Sequence, residues 1–360
     1  MKPYEELREF PELSAAAFQH PHDVQATRNL QKVPLLAPLL KLVSSAVFEK
    51  QIRLLSISGA VRLGPNQGVE LYQKFEKAAA ILDVPKLPEI YVSNRYVVNA
   101  YAFGLENYQI TLFSGLIEAL SEEELMAVIG HELGHVKCEH MLYKTIVFVL
   151  RTFGLEYFRR LLPAGTDMLV LLPLQLAILH WERMAELSGD RAALLVVQDK
   201  EVVASALSKL AGGSPRVLPE INLDEMLKQA DEYEDTETGI LEQIIKVNML
   251  LQQTHPFPVV RVKEIMGWGD SEQYRHILNG EYVRAGEFAK LVLSEPVAKK
   301  CPKCKSLSNV SASICLSCGS SLQGAALVCA NCQIRVFSTW QTCPGCGSPL
   351  TTPSEEAAAA

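Results

Sequence analysis

Residues 121–140 read SEEELMAVIGHELGHVKCEH, and within them His131 and His135 stand four apart with Glu132 between them. Positions four apart on an α-helix share a face, so both imidazoles can reach one zinc ion while the glutamate turns toward the open side of the metal. Ser121 and Glu124 form a capping-box pair at the start of such a helix. Leu125, Val128, Ile129 and Leu133 recur at helical spacing, and no proline intervenes before His140. Two core histidines without a metal would leave a buried, unpaired carboxylate at Glu132, which is costly. The pattern therefore implies the geometry of a zinc peptidase. The metal acidifies a bound water and polarises the scissile carbonyl, and Glu132 moves the water's proton to the leaving amine.

A catalytic zinc of this kind needs a third protein ligand and leaves a fourth position open. Met141 occupies the place of a third histidine six residues after the second. His140 points off the ligand stripe of a continuous helix, and Cys138 lies roughly 10 Å along the axis from His131 by helical rise. Cys138 reads as a small buried residue. The stretch LQLAILHWERMAELSGDRAALLVVQD reads as a second long helix, with Glu186 and Asp190 four apart on one face and Glu182 one turn earlier. Glu186 can complete a two-histidine, one-glutamate site, and Asp190 can accept from the free ring nitrogen of a ligating histidine. The other reading of that face is a solvated acidic stripe paired with Arg183 and Arg191.

At this point the chain resembles the gluzincin peptidases of the HtpX and CAAX prenyl endopeptidase type, whose motif is HExxH followed by a helix bearing ExxxD. Here HELGH is followed by ELSGD, and the resemblance favours Glu186 over Glu182. Asn99, Ala100, Tyr101, Ala102, Phe103 and Gly104 are similar to that family's Asn-Ala edge-strand motif, which lines the cleft and pairs with substrate backbone. Thr254, His255 and Pro256, with Arg261 six residues after the histidine, are similar to its late His-Pro…Arg element. That similarity implies catalytic roles for His255 and Arg261 near the oxyanion of the tetrahedral intermediate. From the residues themselves, NAYAF and QITLF form a plausible antiparallel pair. An open strand edge there would bind an extended peptide through main-chain hydrogen bonds.

The chain departs from the best-known members of that family, which carry membrane-spanning helices. A span needs ~20 largely apolar residues. Residues 33–48 are apolar but short and include Lys41, residues 146–162 are broken by Arg151, Glu156, Arg159 and Arg160, and residues 168–181 contain Pro173. These read as core or cleft-wall helices, with peripheral membrane contact as the second reading. The composition, 48% hydrophobic and 21% charged with a net charge of -7 over 360 residues, suits a large core with a small extra domain and disfavours nucleic acid as a partner. MKPYEELREF is charged and lacks an apolar run. The expectation is a cytoplasmic protein in a reducing compartment, possible membrane association aside.

The last sixty residues carry a separate signal. Cys301, Cys304, Cys315 and Cys318 form two CxxC hooks, and Cys329, Cys332, Cys343 and Cys346 repeat the spacing. Each set of four thiolates suits a tetrahedral zinc, and Gly319 and Gly347 follow the second hooks, where the backbone turns tightly. A disulfide framework would require export. The segment resembles a double zinc ribbon, whose closed sites are structural and whose work would be to bind a protein partner or a substrate.

The expected fold is α+β. It comprises an N-terminal helical region (1–85), a mainly helical gluzincin core with a small antiparallel sheet (86–292), a linker (293–300), a β-type double zinc ribbon (301–350) and a disordered tail (351–360). The acidic stretch 222–238 reads as a mobile surface segment. The expected function is zinc-dependent endopeptidase on protein or peptide substrates, with one catalytic and two structural zincs. The alternative is a latent or non-cleaving peptide-binding adaptor that uses its ribbons for protein interaction.

Overall fold

The computed structural model describes residues 6–31, 33, 36, 46–104, 107–150, 168–212, 220–235, 257–285, 297–303, 307–309, 322 and 326–329. The chain divides into two compact units, one of Met1–Pro11 with His22–Asp270, the other of Glu12–Pro21 with Ser271–Ala360.

In the first unit the helices are α1 (Pro21–Leu30), α2 (Ala46–Gly59), α3 (Val69–Ile81), α4 (Ser114–Ala119), α5 (Glu122–Lys137), α6 (residues 141–150), α7 (Met168–Val197), α8 (Lys200–Gly212), α9 (Leu223–Asp235) and α10 (Pro258–Gly269). Four strands, β1 (Val61–Arg62), β2 (Glu89–Ser93), β3 (Ala100–Phe103) and β4 (Gln109–Phe113), form one sheet in the order β1-β2-β4-β3. As expected, β3 and β4 pair antiparallel, with Ala100 opposite Leu112 and Phe103 opposite Gln109. The sheet as a whole corrects the expectation of an antiparallel one, because β2 and β4 run parallel. The QITLF strand is buried along its full length, so it takes an interior place between β2 and β3. That leaves β3 on the edge.

Helix α5 starts as the sequence implied. Ser121 Oγ accepts from the Glu124 backbone N–H at 3.3 Å, and Glu124 Oε2 accepts from the Ser121 N–H at 2.7 Å. Glu124 also accepts from Ser205 Oγ at 2.6 Å and Lys209 Nζ at 2.6 Å, which ties the helix start to α8. The helix stops earlier than a reading to His140 requires. Cys138 is the C-cap and Glu139 takes a left-handed φ of 58°. The Glu139 N–H then donates to Val136 O at 3.2 Å and the His140 N–H to His135 O at 2.9 Å, the paired bonds of a Schellman stop. Chain direction reverses there, and α6 follows at residue 141.

A core of Leu30, Ile146, Val149, Leu150, Leu174, Ile178 and Trp181 joins α1, α6 and the first half of α7. Among the described residues no helix is long and apolar enough to cross a membrane. The acidic stretch expected to be mobile contains the ordered helix α9. Asn222 Oδ1 accepts from the Asp224 N–H at 2.9 Å, Ala230 is fully buried, and Asp231 pairs with Lys263 of α10 at 2.7 Å. Leu223, Met226, Leu227 and Ala230 give this helix an apolar stripe that outweighs its charge.

In the second unit α11 (Glu272–Leu278) is capped by Ser271, whose Oγ accepts from the Tyr274 N–H at 3.2 Å. Gln273 donates to Ala17 O at 2.7 Å, and Leu13 bridges Arg284. Three antiparallel strands, β5 (Val297–Lys300), β6 (Leu307–Asn309) and β7 (Ala326–Cys329), stand in the order β6-β5-β7. Cys301 is fully buried at the end of β5, and β7 ends on Cys329. Cys304, Cys315, Cys318, Cys332, Cys343 and Cys346, with the tail, lie outside the described residues.

Burial alone would raise the Glu124 pKa, but Lys209, Ser205 and the Ser121 N–H together hold it below the usual carboxylate value. Its contribution is therefore present above the unfolded value of about 4.3 and fades as pH falls through the lowered folded value. Glu124→Ala is expected to lower stability by about 1–3 kcal/mol at neutral pH, with the difference from wild type shrinking below pH 4. Urea denaturation at pH 7 and pH 3.5 checks this.

Candidate active site

The site is made where α5 and α7 cross. They run antiparallel at close range, and the closeness rests on small residues. A Cβ on Gly130 would come within 2.8 Å of the Val196 side chain, and one on Gly134 within 2.4 Å of Ala192 Cβ. On the opposing helix, a Cβ at Gly189 would lie 2.6 Å from the His131 ring. Nothing else fits at these three positions without displacing a helix or a histidine.

Across this crossing three side chains turn two imidazole nitrogens and both oxygens of one carboxylate toward one another. His131 Nε2 and His135 Nε2 are 3.1 Å apart, His131 Nε2 and Glu186 Oε2 3.3 Å, and His135 Nε2 and Glu186 Oε1 3.3 Å. Atoms bound at about 2.0–2.1 Å to a tetrahedral zinc are separated from one another by roughly 3.3 Å. The spacing thus fits a single tetrahedral ion, and this trio is the metal-competent cluster among the described residues. Glu182 is buried on the same helix but is not part of it.

Around the trio lies a compensated set of charges. Asp190 Oδ1 stands 3.1 Å from His131 Nδ1, and its carboxylate accepts from Arg261 Nε at 2.8 Å and Arg261 Nη2 at 2.6 Å. Arg261 Nη1 lies 3.4 Å from Glu186 Oε2, and Lys144 Nζ 3.1 Å from Glu186 Oε1. Burial disfavours charge on His131, yet Glu186 and Asp190 outweigh it and push its pKa up to about 9. Burial and the Lys144 ammonium hold His135 well below the usual histidine range. Burial would raise Asp190, but Arg261 keeps it below the usual carboxylate range.

The family model described as Peptidase family M48 matches residues 65–269, and one described as Double zinc ribbon matches residues 301–347. The chain belongs to peptidase family M48. It is a zinc metallopeptidase that carries a double zinc ribbon. The "Plastoglobule-localized metallopeptidase 48, chloroplastic" of Arabidopsis thaliana is 37% identical over 271 residues, 75% of this chain and 77% of that one. A "Protease HtpX homolog" of Moorella thermoacetica is 30% identical over 44% of this chain and 60% of its own length. The crystal structure of S. mikatae Ste24p aligns at 18% identity and a TM-score of 0.34, over 67% of this chain and 62% of that one, too loosely to carry an argument.

In this M48 chain a cavity of ≈ 310 Å³ opens beside the trio. His131, Glu132, Glu186, Asp190 and Arg261 form its polar wall, Asn99 and Ala100 its strand-side rim, and Val128, Val203, Leu207 and Leu210 part of its apolar wall. Glu132 is 5% exposed, and its Oε2 has no hydrogen-bond partner among the described residues. Asn99 Oδ1 accepts from the Ala100 N–H at 2.9 Å, and Asn99 O accepts from the Phe113 N–H at 3.1 Å. Tyr101 and Ala102 continue along the edge strand away from that rim, with Tyr101 stacked on Phe103 at 5.4 Å.

Arg261, expected beside the oxyanion, lines the cavity with its donors turned to Asp190 and Glu186. His255 lies outside the described residues. Cys138 is buried at the helix end, away from the trio. Sequence reasoning missed Lys144, which stands 3.1 Å from Glu186 Oε1. Nothing in a linear pattern marks a buried lysine on the following helix, and the turn at Glu139 was legible only as a break that a glutamate rarely makes.

Gly189→Ala is expected to drive a methyl group into the His131 ring and cost the protein one bound zinc, whereas Gly267→Ala, with nothing within 4 Å of its added carbon, is expected to keep the wild-type content. Metal analysis after gel filtration, with circular dichroism to confirm folding, checks both.

Proposed function

We propose that this chain is an endopeptidase that hydrolyses peptide bonds of protein substrates, with His131, His135 and Glu186 holding the catalytic zinc and Glu132 acting as general base and then general acid. One observation carries the reading: His131 Nε2 and His135 Nε2 3.1 Å apart, each 3.3 Å from an oxygen of Glu186, beside a buried carboxylate oxygen with no partner among the described residues. A bound zinc supplies a Lewis acid and an acidified water.

The protein's own groups do the rest. Glu132 takes a proton from the attacking water and delivers it to the leaving nitrogen as the C–N bond breaks. Asp190 keeps the His131 hydrogen on Nδ1, leaving Nε2 as the ligand atom, and Arg261 fixes Asp190 by a two-point contact. The outer edge of β3, with Asn99 and Ala100 at the cavity and Tyr101 and Ala102 beyond, offers main-chain groups to an extended substrate. An edge read this way binds backbone rather than sequence. His255 is assigned to the oxyanion on the sequence pattern, with Arg261 lending positive charge from behind the metal.

Two further zincs, in the four-cysteine sets Cys301, Cys304, Cys315, Cys318 and Cys329, Cys332, Cys343, Cys346, complete a count of one catalytic and two structural ions. The ribbons would bind a protein partner or substrate. A peripheral membrane contact is the reading for location, supported by Leu54, Ile57 and Val61, each at least half exposed, and by the plastoglobule named for the Arabidopsis relative.

Glu132→Gln is expected to depress cleavage of an unfolded protein substrate by about 100- to 10,000-fold while leaving zinc content unchanged. Assayed beside wild type, activity in neither protein would favour a latent or non-cleaving adaptor, and equal activity in both would remove Glu132 as the base. Glu186→Ala is expected to lose one zinc of three, and full zinc content would remove Glu186 as a ligand.

A further inference from the structure

Both histidines of the trio face the metal position with Nε2, so each presents Nδ1 backwards. Asp190 stands behind His131. Behind His135 stands His140, with the two Nδ1 atoms 3.0 Å apart. His140 Nε2 lies 2.9 Å from Asp23 Oδ2, an ion-pair distance without the alignment of a hydrogen bond, and Asp23 is fully buried on α1. The Asp23 carboxylate accepts from Ser188 Oγ at 2.6 Å and Thr27 Oγ1 at 3.3 Å, and Thr27 Oγ1 accepts from Trp181 Nε1 at 2.8 Å.

We propose that His140 and Asp23 form a relay that holds His135 in its ligating tautomer, so that α1 supplies a buried carboxylate to the metal site from outside residues 65–269. The proposal rests on the reading of His135 as a zinc ligand. Two ring nitrogens 3.0 Å apart must share one hydrogen, one nitrogen donating and the other accepting. A ligating Nε2 gives its lone pair to the metal, which leaves the His135 hydrogen on Nδ1. His140 Nδ1 is then the acceptor, and the His140 hydrogen sits on Nε2, the nitrogen that the Asp23 charge lies beside at 2.9 Å. Every proton position along the chain is set by its two ends. The opposite assignment would put a hydrogen on His135 Nε2, in the middle of the ligand triangle.

The fold holds this arrangement in place. The Schellman stop at Glu139 swings His140 back under His135, with the His140 N–H bonded to His135 O. Trp181 packs edge-on against the His140 ring at 5.5 Å and 90°. Ser188, which anchors Asp23, sits two residues after Glu186 on α7. The second carboxylate makes His135 a better donor through the intervening imidazole, as a directly bonded one does for many metal-ligating histidines. His140 and Asp23 are positioning residues and touch no substrate.

The test is zinc affinity of the full-length protein, measured by competition with a chromophoric chelator. Glu186→Ala defines the zinc held elsewhere in the chain. His140→Leu is expected to weaken the site by about ten- to a hundredfold, the range for loss of an outer partner, and Asp23→Asn to weaken it by a smaller factor. His140→Asn places a carbonyl oxygen near the Nδ1 position and is expected to recover the larger part of the loss, which generic core damage would not permit.

Affinities of His140→Leu and Asp23→Asn within twofold of wild type would overturn the relay, as would His140→Asn no better than His140→Leu. Should His140→Leu fail to fold by circular dichroism, the near-isosteric Asp23→Asn carries the decision. A Glu186→Ala protein with wild-type zinc would overturn the site and the relay together, whereas loss of one ion there, with the relay variants unaltered, would overturn the relay alone.

Discussion

The close crossing of α5 and α7 is the constraint on which the active site depends. Three side chains converge on one ion only if the backbones that carry them approach closely, and here that approach uses Gly130 and Gly134 on one helix and Gly189 on the other. Ala192 and Ala193 fill the remaining space between them. The two variable positions of HELGH are thus unequal. Leu133 is fully buried, while Gly134 sets the distance between helices. In ELSGD, Gly189 makes room for the His131 ring and Ser188 reaches Asp23.

That crossing concentrates negative charge, and the rest of the site balances it. Glu186 and Asp190, one turn apart, face two histidines from one side, while Arg261 and Lys144 approach from α10 and α6. A buried carboxylate without a counter-charge would shift toward its neutral form, and Arg261 holds Asp190 below the usual carboxylate range instead. Glu132 differs from its neighbours: it lines the same cavity, yet one of its oxygens has no partner among the described residues.

Much of this was legible in the chain, because helical periodicity maps spacing directly onto a face. The capping box at Ser121, the shared face of His131 and His135, the shared face of Glu186 and Asp190, and the β3–β4 pairing all depend on residues close in sequence. The resemblance carried by ELSGD separated Glu186 from Glu182, which spacing alone left open. The parallel alignment of β2 with β4, the order of α9 and the position of His140 were not legible in this way. Sheet order depends on which strand is most deeply buried, α9 on a stripe that needs α10 to cover it, and His140 on a helix stop made by a glutamate in a left-handed conformation.

By itself, then, the sequence determined which residues could share a face, and with that the HELGH and ELSGD patterns on α5 and α7 and the paired cysteine hooks of the ribbon. Only the tertiary structure decided which faces meet. It brought Glu186 to within 3.3 Å of both histidines, Arg261 against Asp190, and an N-terminal aspartate to the back of His135 through His140. Local hydrogen bonding fixes the first kind of fact over a few residues, whereas the second depends on packing among segments up to 165 residues apart, where a glycine's missing side chain decides how near two helices can come.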